Sequence, residues 1–344
     1  MPLVSAADLR PIMSDLLISV GTAPEIAKMV GDSLVESNLA GHDSHGVLRI
    51  LHYLEMARAG EVNPAATPEI VLEHGATVTV DGKWGWGQPS MLMAADAAVD
   101  KARANGIGMA IVVNSYHIGR VAPYVEHLAR EGMIGLAMSN AGRAVAPYGS
   151  KQRVMGTNPI AWAVPGPDGA EPICLDVATA FIAEGKVRVA RAREVEVPPG
   201  AVIDTQGYPS VNPNDFYNGG ALLPFGGHKG SGFSILAQLL GVGLAGATPE
   251  LLSHHRGGNG PVVIAIDVAA FVDPSEFQAR VADQCAEIRS AEAAVGFESV
   301  QMPGDPEQRS RVFRERDGIP VPDNTWAEIQ ALHAQLTPQP SSPA

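Results

Sequence analysis

The stretch IGMAIVVNSYHIGRVAPYVEHLAREGMIGLAMSN, residues 107–140, decides the fold class. It begins with an apolar run of strand length, continues as an amphipathic helix (VAPYVEHLAREG) and ends in a second apolar strand (MIGLAMSN). Strands and helices are mixed here, and hairpin turns occur elsewhere in the chain, which predicts a mixed α/β core rather than clean βαβ alternation. The polar loop that holds His117 follows the first strand, where α/β proteins often place functional groups.

The segments before this stretch predict a helical unit followed by strands. Residues 5–41 predict two helices, and a third is predicted over 44–59 with Asp43 or Ser44 as its cap. Residues 69–82, EIVLEHGATVTVDG, alternate as paired strands do, and residues 91–106 predict an amphipathic helix.

The segments after it continue the mixed pattern. NPIAWAVPGPDG and PICLDVAT predict two strands, and PVVIAIDVAAF predicts another, which a helix over 275–292 follows. GFSILAQLLGVGLAGA, residues 232–247, is almost wholly apolar, which predicts a buried helix. The tail after about residue 334 is rich in Pro and Ser and is expected to fray.

Composition narrows the possible partners and location. The formal net charge of −13 disfavours nucleic acid and anionic membranes as partners, and no apolar run is long enough to span a bilayer. Only two cysteines occur in 344 residues, which is typical of a reducing compartment, so we expect a cytoplasmic protein.

The densest polar cluster is GHDSHGVLRI, residues 41–50. In a helix capped at Asp43 or Ser44, His45 and Arg49 would share one face at i,i+4 spacing. A histidine exchanges protons near neutral pH and an arginine grips a carboxylate with two parallel hydrogen bonds. A mere helix cap and a metal site using His42 and His45 are the alternatives, although an HxxH pair alone is a weak metal signal.

Three further clusters are less specific. His117 is either a catalytic group or an ordinary loop histidine, and Lys229 in LLPFGGHKGSG lies in either a phosphate-binding loop or a tight turn. The latter is not a Walker A loop, and no G-x-G-x-x-G follows the first strand. Thr157, Asn158 and Asp176 stand at predicted strand ends as a plausible cleft lining.

A series of motifs occurs in this order along the chain: HDSHG with Arg49, NSYHIG, MSN, APYGS, MGTNP, LDVAT, LPFGGHKGSG and PGD. Together they resemble the malate/L-lactate dehydrogenase family of the non-Rossmann kind over about residues 5–330. That family also includes ureidoglycolate and sulfolactate dehydrogenases, diketogulonate reductase and the cyclic-imine reductases. The resemblance implies an NAD- or NADP-dependent enzyme that interconverts a small 2-hydroxy acid and its 2-oxo acid. It also implies a homodimer and a mixed α/β (α+β) fold, with a helical N-terminal unit and a largely antiparallel dinucleotide-binding domain.

The resemblance also assigns roles to individual residues of this chain. Ser44 and His45 match positions of proton transfer, and His117 matches a histidine of either proton transfer or cofactor contact. Arg49 and Thr157 match positions of substrate binding. The positions implied to bind the cofactor are Ile118, Gly119, Arg120, Val121, Ser139, Asn140, Asp176, Val177, Ala178, Lys229 and Gly304. No metal ligand is expected.

The resemblance also suggests a division of the chain. Residues 1–75 are expected to form a helical substrate and dimer domain, joined by the C-terminal segment 300–344. Residues 76–245 are expected to form the mixed α/β core with the NAD(P)-binding segments, and residues 246–300 to continue it.

Two alternatives to the hydroxy-acid dehydrogenase stay open at this point. One is an NADPH-dependent cyclic-imine (piperideine- or pyrroline-2-carboxylate) reductase, which Lys186 weakens because it stands where those enzymes carry an acid. The other is a metal-dependent hydrolase or lyase that uses His42 and His45. Either NAD or NADP fits, because Arg188, Arg191 and Arg193 could meet a 2′-phosphate or could simply be a solvated basic run.

Overall fold

The computed structural model describes residues 1–247 and 258–336. Its helices are α1 (Ala6–Ile18), α2 (Pro24–Leu39), α3 (Arg49–Arg58), α4 (Gly87–Asn105), α5 (Ala122–Arg130), α6 (Glu184–Ala192), α7 (Pro213–Tyr217), α8 (His228–Gly243), α9 (Pro274–Ser290), α10 (Asp305–Asp317) and α11 (Asp323–Ala334). Its strands are β1 (Leu3–Val4), β2 (Glu69–His74), β3 (Thr77–Asp81), β4 (Ile107–Val113), β5 (Met133–Met138), β6 (Ile160–Val164), β7 (Ile173–Val177), β8 (Val202–Ile203), β9 (Pro209–Ser210), β10 (Ala221–Leu222), β11 (Val262–Asp267) and β12 (Ile319–Pro320).

A seven-stranded sheet in the order β2-β3-β4-β11-β5-β6-β7 forms the centre of the molecule. Within it β3 and β4 pair in parallel, and the other neighbouring pairs are antiparallel. A parallel pair needs a crossover connection, and α4 supplies it. The mixed α/β class and the largely antiparallel sheet predicted from the sequence are therefore confirmed.

Two helices, α4 and α5, cover the sheet next to the loop that carries His117. Small side chains of α4 and branched side chains of α5 share one apolar core with the alternate, inward-facing residues of β4: Ala94, Ala98, Val125, Leu128, Ala110 and Val112. Because α4 presents mainly alanines, it can lie close against the strands. The packing fixes the β4–α5 loop, which carries His117.

A second core joins the two ends of the described chain. Leu9, Leu34 and Tyr53 of the N-terminal helices share it with Ile319 and Ile329 near the C-terminal end. β1 also pairs with β12, so that Val4 lies opposite Ile319. The proposed domain boundaries stay a prediction.

The start of α3 corrects one expectation. The helix begins at Arg49 rather than at residue 44, and residues Asp43–His45 form a separate 3-10 turn. Neither Asp43 nor Ser44 caps a helix, because Asp43 instead accepts hydrogen bonds from Asn38 and Arg314. Asn38 also accepts from the Val47 backbone amide, and this contact diverts the chain away from helical geometry.

The burial of the apolar helix α8 also differs from the sequence-based expectation. We expected it to be buried, but Phe233, Ile235, Leu236 and Leu239 are between 44% and 64% exposed in the single chain. Its small residues, such as Ser234 and Ala237, form the buried face. A helix that is apolar all round needs cover on two sides, and the single chain covers one.

A third, smaller core surrounds the three-stranded sheet β10-β8-β9 and includes Val187 of α6 and Phe216 of α7. Sequence analysis did not foresee this unit, nor α10 and α11. Among the described residues no helix combines the length and apolar content needed to cross a bilayer. The expected fraying beyond residue 336 and part of the segment 246–300 lie outside the described residues.

Candidate active site

The two histidines of the predicted site come together. His117 lies in the loop between β4 and α5, and His45 lies in the 3-10 turn before α3. Their rings stack with centroids 5.8 Å apart and an interplanar angle of 20°. Two segments more than seventy residues apart in the chain therefore build one imidazole pair.

Arg49 and Ser44 adjoin this pair. Ser44 Oγ is 3.0 Å from His45 Nδ1, and Arg49 Nε donates to the Ser44 backbone carbonyl at 2.7 Å. Among the described residues no carboxylate forms an ion pair with Arg49. The turn therefore replaces the predicted i,i+4 helical arrangement, yet it still holds an imidazole beside a guanidinium that lacks a counter-ion.

The surroundings keep both imidazoles neutral. Burial lowers the pKa of His45 to about 3, and the nearby Arg49 cation contributes to the shift. Burial and the Arg49 cation likewise hold the pKa of His117 well below its usual range. A carboxylate bound to Arg49 would cancel part of this effect and make protonation of the pair easier.

The start of α6 closes one side of the pair. A Cβ atom at Gly185 would lie 2.5 Å from Ser44 Cβ, so a residue without a side chain is needed there. Lys186 follows and is exposed. The site therefore depends on α6, which belongs to the third core.

Predicted substrate and cofactor positions lie on neighbouring loops. Thr157 accepts hydrogen bonds from the Thr179 amide and hydroxyl through its backbone carbonyl, and Thr179 in turn accepts from the Phe225 amide. These hydrogen bonds hold the segment after Val177 and Ala178 against the Gly-rich loop that precedes Lys229. Lys229 itself is exposed in the first turn of α8.

Three predicted cofactor positions share the wall of one cavity of about 290 Å³, between α5, β7 and α10. They are Arg120, Asp176 and Gly304. Asp176 Oδ2 accepts from the backbone amides of Val121 and Ala122 at 2.9 and 2.8 Å, so its carboxylate occupies the first amides of α5. The sequence did not reveal this role as a helix cap.

Arg120 differs from every other charged group of that wall. The five carboxylates there already have partners: Glu126 with Arg130 and Arg311, Glu171 with Arg130, Asp176 with two amides, Asp305 with Arg289, and Glu307 with His42. Arg120 is 4% exposed, and its Nε and Nη1 have no hydrogen-bond partner. A buried, unpaired guanidinium is costly, which indicates that an anion belongs beside it.

At other predicted cofactor positions the side chains are already hydrogen-bonded or packed within the protein. The Asn140 side chain accepts from the Gly260 amide and donates to the Ala247 carbonyl, and Ser139 is equally buried. Ile118 and Val121 lie in the sheet core. Gly119, with φ of 74°, is buried beside Gln88, so Arg120 is the residue of this loop that faces the cavity.

The two proposed metal ligands point to different partners. His42 Nε2 lies 3.2 Å from Glu307 Oε1, whereas His45 turns toward Ser44. Within residues 1–247 and 258–336, no three His, Cys, Asp or Glu side chains gather as metal ligands.

Sequence reasoning missed the groups that support His117. Tyr53 hydrogen-bonds to His117 Nδ1 at 2.7 Å, and Gln88 Nε2 donates to the Tyr53 hydroxyl at 3.0 Å. Tyr53 stands four residues after Arg49, so the helix period could have placed it on the same face. No sequence signal marked Gln88.

Comparison with known proteins places the chain in a family. The family model for malate/L-lactate dehydrogenase matches residues 4–330. The L-sulfolactate dehydrogenase of Methanocaldococcus jannaschii is 33% identical over 95% of each chain, and the delta(1)-pyrroline-2-carboxylate/delta(1)-piperideine-2-carboxylate reductase of Pseudomonas syringae is 33% identical over 96% of each. The crystal structure of malate dehydrogenase from Entamoeba histolytica superposes with a TM-score of 0.93 at 29% identity, covering 98% of this chain and 99% of that one.

Fold and relatives together define an oxidoreductase of the hydroxy-acid dehydrogenase type, which confirms the activity class predicted from the sequence. The chain belongs to the malate/L-lactate dehydrogenase family. Membership implies a nicotinamide cofactor.

Proposed function

We propose that the protein transfers a hydride between NAD or NADP and C2 of a small 2-hydroxy acid or its 2-oxo acid. The observation that carries this proposal is the unpaired Arg49 guanidinium beside the stacked His45 and His117. Arg49 binds the substrate carboxylate with two parallel hydrogen bonds, and this pair orients C2. His45, supported by Ser44, exchanges the proton of the hydroxyl group.

The orphaned nitrogens of Arg120 support cofactor binding in the cavity between α5 and α10. A dinucleotide carries the phosphate anions that this buried cation lacks, and Gly304 lets the backbone at the start of α10 approach them. When bound, the nicotinamide supplies the hydride. The protein's own residues then orient the acid, exclude water and move the proton.

The test is an assay of 2-oxo acids and cyclic imines with NADH and with NADPH. We expect oxo acids to be reduced and the imines to be poor substrates, because Lys186 stands where the imine reductases carry an acid. Efficient imine reduction would favour the second candidate, which the P. syringae relative supports. Turnover of neither class would contradict both.

The same assay bears on the choice of cofactor. Arg188 pairs with Glu184, and Arg191 lies 4.6 Å from the Tyr217 ring, so both arginines are engaged within the protein. They are therefore weak candidates for holding a 2′-phosphate, and the exposed Arg193 is the residue of this run left for it. A much lower Michaelis constant for NADPH than for NADH would assign that contact to Arg193, and the reverse would make NAD the cofactor.

We further propose that the protein works as a homodimer in the cytoplasm. The exposed apolar face of α8, formed by Phe233, Ile235, Leu236 and Leu239, is suited to a second copy of the chain. Light scattering should give twice the chain mass for the native protein and the chain mass for Leu239→Asp. Val295→Asp, at an exposed apolar residue outside α8, is the control and should stay dimeric. The two free cysteines suit a reducing compartment.

A further inference from the structure

A buried chain of hydrogen bonds ends on His117. Gln88 and Tyr53 are 2% and 1% exposed, and the chain runs from Gln88 Nε2 to the Tyr53 hydroxyl and on to His117 Nδ1, with links of 3.0 and 2.7 Å. Each link has a direction, because a hydroxyl that accepts from an amide has its own proton free for the next acceptor.

The direction of the chain follows from the amide of Gln88. As placed, the side chain leaves one buried carbonyl oxygen, Oε1, without a partner. Turning the amide over would leave the buried NH₂ group in that position instead. Unsatisfied buried N–H groups are rarer than under-satisfied carbonyls, so the present orientation is favoured. The Tyr53 hydroxyl then donates and Nδ1 of His117 accepts.

Neutrality of the ring completes the assignment. Burial holds the pKa of His117 well below its usual range and raises the pKa of Tyr53 to about 12, so an imidazole meets a phenol. A neutral imidazole carries one proton. With Nδ1 accepting, that proton is on Nε2, which forms no hydrogen bond among the described residues and is not sealed from solvent.

We propose that Tyr53 and Gln88 are positioning residues that fix His117 as the tautomer protonated on Nε2. His117 is then a hydrogen-bond donor toward the oxygen of the bound acid and cannot serve as the base that removes its hydroxyl proton. Proton exchange falls to His45, whose Nδ1 faces Ser44. This division of roles rests on the proposed function, whereas the tautomer itself is a property of the free protein.

The direct test is nitrogen NMR of the full-length protein labelled with ¹⁵N-histidine, with the His117 signals assigned from His117→Asn. We expect Nε2 to be protonated and Nδ1 to be bare in the free enzyme near pH 8. In Tyr53→Phe, or in Gln88→Met if that variant does not fold, the two tautomers should mix. Protonated Nδ1 or a mixture in the wild type, or an unchanged tautomer in the variants, would overturn the proposal.

Kinetics separate positioning from a purely structural role. Tyr53→Phe should lower kcat about 5- to 10-fold, the loss expected for one hydrogen bond, with little change in KM. Tyr116→Phe is the matched control, because its hydroxyl lies 3.3 Å from His52 and its ring meets Tyr53 edge-on. The control should leave both the His117 signals and kcat unchanged. If the tautomer is as expected but no oxo acid is turned over, the proposed function fails and the tautomer assignment stands.

Discussion

His117 and Arg120 lie three residues apart in one loop, yet their surroundings differ in kind. His117 is held by Tyr53 and stacked on His45, so its position is fixed before any ligand arrives. Arg120 is more deeply buried than His117, but two of its nitrogens have no partner in the described chain. The difference indicates that the imidazole facing the substrate is oriented in advance by protein contacts, whereas the guanidinium facing the cavity is completed by an anion.

The largest effect is expected at Arg49. Arg49→Lys keeps the charge but loses the planar fork, so kcat/KM for oxo acids should fall about 10- to 100-fold, mainly through KM. Steady-state kinetics with saturating reduced cofactor measure this. Arg58→Lys, at the exposed end of the same helix, is the control. Equal kinetics in both variants would show that Arg49 does not bind the substrate, and the contrast between the two parts of the site would lose its support.

The second largest effect is expected at Arg120, in the wall of the proposed cofactor cavity. Arg120→Met should weaken NADH binding about tenfold or more, because a charge-assisted contact is lost, while the melting temperature of the cofactor-free protein rises. Fluorescence titration and thermal unfolding measure the two quantities. Arg103→Met is the control, since Arg103 is paired with Glu131 outside the cavity wall and should change cofactor affinity little. An unchanged affinity for NADH in Arg120→Met would show that the phosphates of the cofactor do not bind beside Arg120.

The smallest effect concerns pH and the neutral His45. The folded pKa of about 3 lies below the ordinary 6.5, so the unfolded chain binds more protons between those values. The free energy of unfolding therefore falls as pH drops from 6.5 toward 3, by at most about 1.4 kcal/mol per pH unit from this group. Urea denaturation should show a shallower pH dependence in His45→Gln. His74→Gln, at an exposed position on β2, should keep the wild-type slope.

Much of the fold was predictable because its signals are local. The strands β4 and β5 and the helix α5 follow directly from residues 107–140, where hydrophobic period and length agree. The pairing of His45 with Arg49 was also expected, although a 3-10 turn rather than a helix produces it. Each of these features depends on residues close together in the sequence.

The remainder depends on contacts that no local pattern records. The side chain of Asn38, nine residues away from Val47, decides where α3 begins. Asp176 caps α5 from a different strand, more than fifty residues along the chain. Gln88 reaches His117 only through Tyr53, and the exposed face of α8 depends on what covers it from outside the single chain.

The contact between Gly185 and Ser44 has an evolutionary consequence. A side chain at position 185 would push the serine out of place, so glycine is favoured there. Its neighbour Lys186 is exposed and free to change. We expect substitutions at residue 186 to be tolerated, whereas a side chain at residue 185 would displace Ser44 and with it the hydrogen bond to His45.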